Sequence, residues 1–325
     1  MSESLLLKIN NLKTYFDLAE GVVQAVDGVH LEIGKEEVLG LVGESGCGKS
    51  TVALSILRLI RPPGKIVGGE IWFEGEDLLR KSEGEMREIR GGKISMVFQN
   101  PTSSMNPVYT VGSQIAEAIK LHQDVQKHQI KEKVVEILHK VGIPDPSKRM
   151  EDYPHEYSGG MCQRAMTAMA LSCNPKLLIA DEPTTNLDVT IQAQILDLMR
   201  TLRKDFGASI LLIGHNLGVI DEFCDKVAVM YAGKVVEYSD ITTIFKKPKH
   251  PYTQALLESI PRLDVEKERL RIIPGTVPRL INPPTGCRFH PRCEYAMAVC
   301  GEQEPTPVEI GRGHTVACFL HTSEG

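Results

Sequence analysis

The sequence has 325 residues, 42% hydrophobic and 24% charged, enough for one large globular domain and a smaller appendage. A formal net charge of −5 and an aromatic content of 5% argue against a nucleic-acid binder, which carries a basic footprint and stacking rings. No stretch supplies the roughly 18 uncharged apolar residues of a membrane span. The opening MSESLLLKINNLKTYF lacks the parts of a signal peptide, so a cytosolic chain able to dock onto a membrane protein is expected.

Residues 5–40 alternate short apolar runs with Gly, Asn and acidic breaks, which predicts strands and turns. A helix is expected over Thr51–Ile60, stopped by Arg61-Pro62-Pro63-Gly64. EIWFEG reads as a strand, and ISMVF (94–98) as another that ends at Gln99. From Val111 to Leu171 the pattern is mainly helical, an insert between two parts of an α/β core. The core resumes with KLLIA, a helix over 189–203, strand SILLI and a helix near 216–223. It closes with VAVMYAGKVVEYS, a hairpin turned at Ala232-Gly233. Strands separated by helices predict a largely parallel sheet with ligands beyond the strands' carboxyl ends. Past about residue 245 Pro and Gly become frequent and periodicity fades, which places a boundary near 240–250.

Strand VLGLV delivers the chain into Gly43-Glu44-Ser45-Gly46-Cys47-Gly48-Lys49-Ser50, and Thr51 continues into the helix. This is GxxxxGK[ST] in the strand-loop-helix setting it requires. Glycines let successive N–H groups converge on an anion, and the helix adds its own unpaired donors. Lys49 is suited to the β- and γ-phosphates of a nucleotide and Ser50 to Mg²⁺. Cys47 sits among these donors, either as a thiol of lowered pKa or as a small residue where serine would also fit.

Leu177-Leu178-Ile179-Ala180-Asp181-Glu182 is an apolar strand ending in two acids before Pro183. Consecutive side chains at a strand end point different ways, so Asp181 is assigned to Mg²⁺ and Glu182 to the attacking water. Gln99 and His215 stand at two further strand ends, Gln99 to bind Mg²⁺ or water through its carbonyl oxygen and His215 to donate to the γ-phosphate. Ser158, Gly159 and Gly160 precede another helix, with Ser158 a candidate N-cap. Cys47, Cys162, Cys173 and Cys224 are scattered, whereas Cys287, Cys293, Cys300 and Cys318 fall in the last 39 residues with the spacing C-x5-C-x6-C-x17-C. In a reducing compartment that group reads as a metal site before it reads as disulfides, and the spacing leaves zinc and an iron–sulfur cluster both open. A segment so rich in Pro and Gly is expected to need such an internal staple.

Taken in order, GESGCGKS, Gln99, YSGGM (157–161), LLIADE, TNLD (185–188) and His215 resemble the ATP-binding subunits of ABC transporters. FQNPTSSMNP (98–107), YPHEYSGGMCQR (153–164), KHPYTQALL (249–257) and GCRFHPRC (286–293) resemble the dipeptide/oligopeptide importer branch. The resemblance implies a P-loop ABC domain over 1–245, with a parallel core, an antiparallel β subdomain and a helical subdomain over about 105–172. A cysteine-bearing extension over 246–325 would follow. It implies that Ser158, Gly159 and Gly160 complete the ATP site of an opposing subunit, that Asp188 crosses that interface and that His215 is the switch histidine. Gln99 becomes the hinge of the helical subdomain, which contacts the membrane subunits. Phe16, or else Tyr15, stacks on adenine, with spacing favouring Phe16. ATP, Mg²⁺ and a [4Fe–4S] cluster on the four cysteines are the implied cofactors, with Zn²⁺ the alternative and His290 and His314 spare ligands. The implied partners are two permeases, a second ATP-binding subunit and, indirectly, a peptide-binding protein, on the cytoplasmic side of the membrane.

The sequence departs from LSGGQ at Tyr157 and Met161, carries Cys162 where a basic residue is common, and has Asn186 and Gly214 at two other motif positions. None of these removes a phosphate-binding or water-activating group. A P-loop kinase would lack the signature and switch histidine, and soluble ABC proteins usually carry two cassettes or a coiled coil. A nickel or other small-solute importer is the nearer alternative.

Overall fold

The computed structural model describes residues 5–100, 104–184, 189–259 and 273–322. Among these the strands run β1 (Leu5–Leu18), β2 (Gly21–Gly34), β3 (Val38–Val42), β4 (Gly64–Phe73), β5 (Glu76–Asp77) and β6 (Ile94–Val97). They continue as β7 (Leu177–Asp181), β8 (Ser209–Gly214), β9 (Lys226–Tyr231), β10 (Lys234–Asp240), β11 (Val308–Gly311) and β12 (His314–Val316). The chain folds as two compact units, one of Met1–Gly34, Val38–Leu79 and Ile213–Gly325, the other of Lys35–Glu37 and Arg80–Leu212.

In the first unit β2, β1, β4 and β5 form an antiparallel sheet in that order. Its inward residues on β1 are Leu7 and Ile9, then Leu12 and Thr14. Parity changes at Asn11 (φ 48), where the register shifts. A bulge there lets an odd-numbered and an even-numbered run face the same core. β3 is buried along its whole length and runs parallel to β9, as a continuous apolar run covered on both faces should. β9 and β10 form the expected hairpin, with Ala232 (φ 46) and Gly233 (φ 86) taking the two left-handed turn positions.

The helix after β3 spans Lys49–Ile56, shorter than the expected Thr51–Ile60. It closes at Arg58, whose backbone turns left-handed (φ 51) while its guanidinium donates to Leu78 O at 3.1 Å. That stop comes before the prolines and carries no breaker residue in sequence.

The C-terminal segment is better framed than its Pro and Gly content suggests. β12 pairs with β10, and β11 with β12. Phe289 packs its ring on Tyr231 and Tyr252, at centroid distances of 5.1 and 5.4 Å. Buried His314 places Nε2 2.8 Å from Glu237 Oε1, and the Glu237 carboxylate also accepts from the N–H groups of Lys249 and His250. Strand pairing, an aromatic cluster and buried charge-assisted bonds thus tie down a segment expected to need an internal metal.

In the second unit β6 and β7 run parallel, with β8 beside β7. Helices Val111–His122, Ile130–Lys140 and Gly159–Leu171 surround a core of Val111, Ile115, Ile119, Val134, Leu138 and Ala165, among others. The helix after β7 runs Val189–Phe206.

Candidate functional site

In the first unit, the loop between β3 and the helix Lys49–Ile56 carries the phosphate-binding pattern. Gly43 (φ 153) and Gly48 (φ 106) hold conformations that L side chains rarely adopt. A Cβ at Gly43 would lie 2.1 Å from Met230 O, and one at Gly48 2.1 Å from Ala25 O. Backbone from β9 and β2 therefore presses on the loop from behind and fixes its curvature. Ser45, Gly46 and Ser50 are exposed, while Lys49 is buried. Its ammonium donates to Gly43 O at 2.8 Å and Glu44 O at 3.0 Å, which arches the loop over its own lysine. Ser50 and Thr51 occupy the first helical turn.

Cys47 differs from the first of its two expectations. It is fully buried, and burial pushes its thiol pKa up; the nearby Lys49 only partly opposes this. Proximity to backbone donors does not activate a thiol that has no water to stabilise its charge.

His215 is exposed just beyond β8, and Asn216 caps the following helix by accepting from Gly218 N and Val219 N. Phe16 is half-buried, and a Cβ at Gly64 would meet its ring at 2.5 Å, so the glycine makes room for it. Tyr15 donates instead to Asp27 Oδ1 at 2.8 Å. Burial, then Asp27, pushes its pKa up to about 12.

In the second unit Asp181 is buried at the end of β7 and Glu182 follows at φ 47. A left-handed glutamate is an uncommon backbone state that the surrounding structure must impose. It turns the second acid away from the strand, where its Oε2 accepts from Gln99 Nε2 at 2.7 Å. Two residues 83 apart in sequence are so brought together through the Gln99 amide nitrogen. Within this unit the carbonyl of Gln99 and the carboxylate of Asp181 are hard oxygens of the type Mg²⁺ takes.

Ser158 caps the helix Gly159–Leu171 by accepting from Met161 N, as its sequence position predicts. A Cβ at Gly159 would meet nothing within 4 Å, which leaves that turn open. The departures from the usual signature turn inward. Met161 packs on the helical core, and buried Tyr157 donates to Arg149 O at 2.9 Å. Cys162 is buried with its Sγ 3.4 Å from Pro154 O, a place no basic side chain would take. Asp188 and the rest of TNLD lie outside the described residues.

Cys287, Cys293, Cys300 and Cys318 are free thiols in the first unit. Burial first, and then charge on the other three, push the pKa of Cys318 up to about 11, so the four share one neighbourhood. They do not converge on one point: among the described residues no three His, Cys, Asp or Glu side chains are placed to hold a metal ion. The donor chemistry fits a thiophilic metal, but the placement as it stands does not. Of the expected spare ligands, His314 is committed to Glu237, whereas His290 places Nδ1 2.9 Å from Cys287 O and keeps Nε2 outside that contact.

Residues not expected from sequence connect this segment to the rest of its unit. Arg288 donates to Ala232 O, Gln24 Oε1 and Asp27 Oδ2, each at 2.6 Å. Arg292 reaches Glu44 inside the phosphate loop. Both lie in CRFHPRC, where the cysteines are the more conspicuous residues; an arginine amid aromatics and prolines is the signal that could have found them.

Known proteins are similar to this chain in sequence and in fold. The ABC transporter family model matches residues 26–185, and the model of the oligopeptide/dipeptide transporter C-terminal region matches 236–300. The chain is 50% identical to the oligopeptide transport ATP-binding protein AppD of Bacillus subtilis, covering 99% of this chain and 98% of that one. It is 47% identical to the dipeptide transport ATP-binding protein DppD of Escherichia coli, with 96% of each covered. The dimeric ATP-binding cassette MJ0796, solved with ADP and Pi, has the same fold at a TM-score of 0.66 and 24% identity, over 73% of this chain and 99% of that one. The fold is therefore that of an ABC nucleotide-binding domain. The chain belongs to the oligopeptide/dipeptide transport ATP-binding proteins of the ABC transporter family.

Proposed function

We propose that this chain hydrolyses ATP to power import of dipeptides or oligopeptides through an ABC transporter. The observation that carries the reading is the arched loop Gly43–Ser50 with Lys49 at its centre, at the head of a helix. Peptide as the solute is supported by what the relatives are named for and by the match over 236–300.

Lys49 and the N–H groups of Ser45, Gly46, Cys47 and Gly48 bind the phosphates, and Ser50 with Thr51 completes the loop's grip. Ser50, Gln99 and Asp181 hold Mg²⁺, which neutralises phosphate charge when bound. Glu182 orients and deprotonates the attacking water, with Gln99 holding its carboxylate, and His215 contacts the γ-phosphate. Phe16 stacks on adenine, since Tyr15 is engaged with Asp27. Ser158, Gly159, Gly160 and Asp188 serve the nucleotide of a second ATP-binding subunit, a paralogue in this reading.

Two permeases anchor the pair at the cytoplasmic face of the membrane, and a peptide-binding protein acts from the other side. Among the described residues no helix is long and apolar enough to cross a membrane. Val108 and Tyr109 are 70% and 57% exposed beside the helical core, an apolar contact of the kind a permease would cover. The four thiols are read as ligands of a [4Fe–4S] cluster or Zn²⁺ that would draw them together on binding; their shared neighbourhood supports this.

The test is reconstitution of this chain with a paralogous ATP-binding subunit and two permeases of a peptide importer, in vesicles, with a labelled tripeptide and the binding protein outside. ATP-dependent uptake that vanishes with K49A supports the reading. ATPase activity stimulated by nickel and indifferent to peptides would overturn the solute assignment. Iron and zinc analysis of anaerobically purified protein decides the metal, and absence of both overturns that part.

A further inference from the structure

Glu44, the second residue of the phosphate loop, is gripped from the C-terminal segment at two places. Its carboxylate receives a bidentate pair from Arg292, Nη1 to Oε2 at 2.8 Å and Nη2 to Oε1 at 3.1 Å. Its backbone N–H donates to Tyr252 Oη at 3.0 Å. Its carbonyl meanwhile accepts from Lys49 Nζ. All three polar groups of one loop residue are therefore engaged, two of them by residues more than 200 positions away.

Arg292 is itself immobilised. It is buried, Nε donates to Pro274 O at 2.8 Å, Nη1 lies 3.3 Å from Tyr231 Oη, and the guanidinium stands 5.8 Å above the Tyr231 ring. Tyr252 is fully buried against Tyr231, at 4.6 Å between centroids. A fork fixed on every side fixes the carboxylate it holds more tightly than a mobile surface lysine would. Elsewhere the loop between β3 and its helix is held by Lys49, by the backbone of β2 and β9 behind it and by Gly233 N, which donates to Cys47 O at 2.9 Å; its Glu44 end is held from Arg292 and Tyr252.

We propose that Arg292 and Tyr252 are positioning residues for nucleotide: the C-terminal segment presets the phosphate loop by clamping Glu44, so that its N–H groups converge before the phosphates arrive. The inference rests on the ATP-binding reading of the loop. Pre-ordering a binding loop removes an ordering cost that would otherwise be subtracted from affinity.

The experiment measures displacement of a fluorescent ATP analogue by Mg-ATP on the full chain. It compares the parent, R292M, E44Q, Y252F, the double variant R292M/E44Q and K49A. R292M and E44Q each weaken ATP about tenfold, the worth of one charge-assisted bond, and Y252F does so by a smaller factor. The double variant is no weaker than R292M alone, because both changes remove one interaction. In the assembled transporter the change falls mainly on KM for ATP rather than kcat, a split that general loosening of the fold would not give. Arg292→Lys recovers part of the loss through its charge but not the fork. Parental affinity in E44Q or R292M at an unchanged Tm overturns the proposal, as does simple additivity in the double variant. If R292M does not fold, E44Q and Y252F decide. Parental ATP affinity in K49A would instead overturn the nucleotide reading itself.

Discussion

Gln99 Nε2 and Glu182 Oε2 lie 2.7 Å apart, so a residue following β6 orients the carboxylate that follows β7. The bond joins an amide and an acid as one unit, with the amide N–H holding the carboxylate.

In the assembled transporter, E182Q is expected to keep ATP binding and lose hydrolysis by about a thousandfold, the scale of a lost general base with its electrostatic support. Q99A, which removes the orienting bond and one oxygen donor, should retain more, losing about tenfold to a hundredfold. Single-turnover phosphate release measured beside nucleotide affinity separates the two. Parental turnover in E182Q would remove Glu182 from its role.

The burial of Cys47 makes a prediction about reactivity. A thiol pushed upward in pKa supplies less thiolate at neutral pH than a free cysteine, and this one has no path to solvent. Labelling with N-ethylmaleimide at pH 7, followed by mass spectrometry, should find Cys47 unmodified in folded protein and modified in urea. C47S should bind ATP within about twofold of the parent, because serine fits the same volume. Fast labelling in the folded chain would contradict the structure.

His250 offers a test of pH dependence. Burial, assisted by the charge of His321, pushes its pKa down to about 3, while Nδ1 accepts from Tyr252 N at the start of the helix Pro251–Glu258. A depressed histidine pKa means the unfolded chain binds a proton that the folded chain refuses. Its contribution is therefore intact above the unfolded value near 6.5 and is lost as pH falls from there toward 3. His250→Asn keeps an oxygen to cap the helix and removes the titration. The acid limb of a urea-denaturation series should flatten by up to about 1.4 kcal/mol per pH unit between pH 6 and 4. An unchanged slope would show that His250 takes up its proton in the folded state.

The parts of the molecule that sequence made legible are those set by local chemistry. The loop 43–50, the Ser158 cap, the hairpin at Ala232-Gly233 and the paired acids each declare themselves through glycine, capping or strand-end residues in a row. What stayed hidden depends on partners far along the chain. The early close of the first helix needs Arg58 and Leu78 together, and the raised Cys47 pKa needs the surrounding burial. The attachment of the C-terminal segment needs Arg288 with Asp27 and Arg292 with Glu44. The cysteine spacing is conspicuous in the sequence, yet the arginines between the cysteines make the contacts.

β12 covers β10 through Glu237 and Tyr238, and β11 in turn covers β12. The outermost strand is thereby exchanged for a four-residue one that carries Glu309 and ends at Gly311, beside Arg312. A short, charged rim is a poor template for another chain, whereas the longer β10, which carries Val235, Val236 and Tyr238, is a better one. Removing the residues after Pro305 would uncover that run, and such a chain should self-associate at concentrations where the whole protein stays dispersed, as light scattering would record. In this expectation strands β11 and β12 shield the edge of β10, a task separate from the grip of Arg292 and Tyr252 on Glu44.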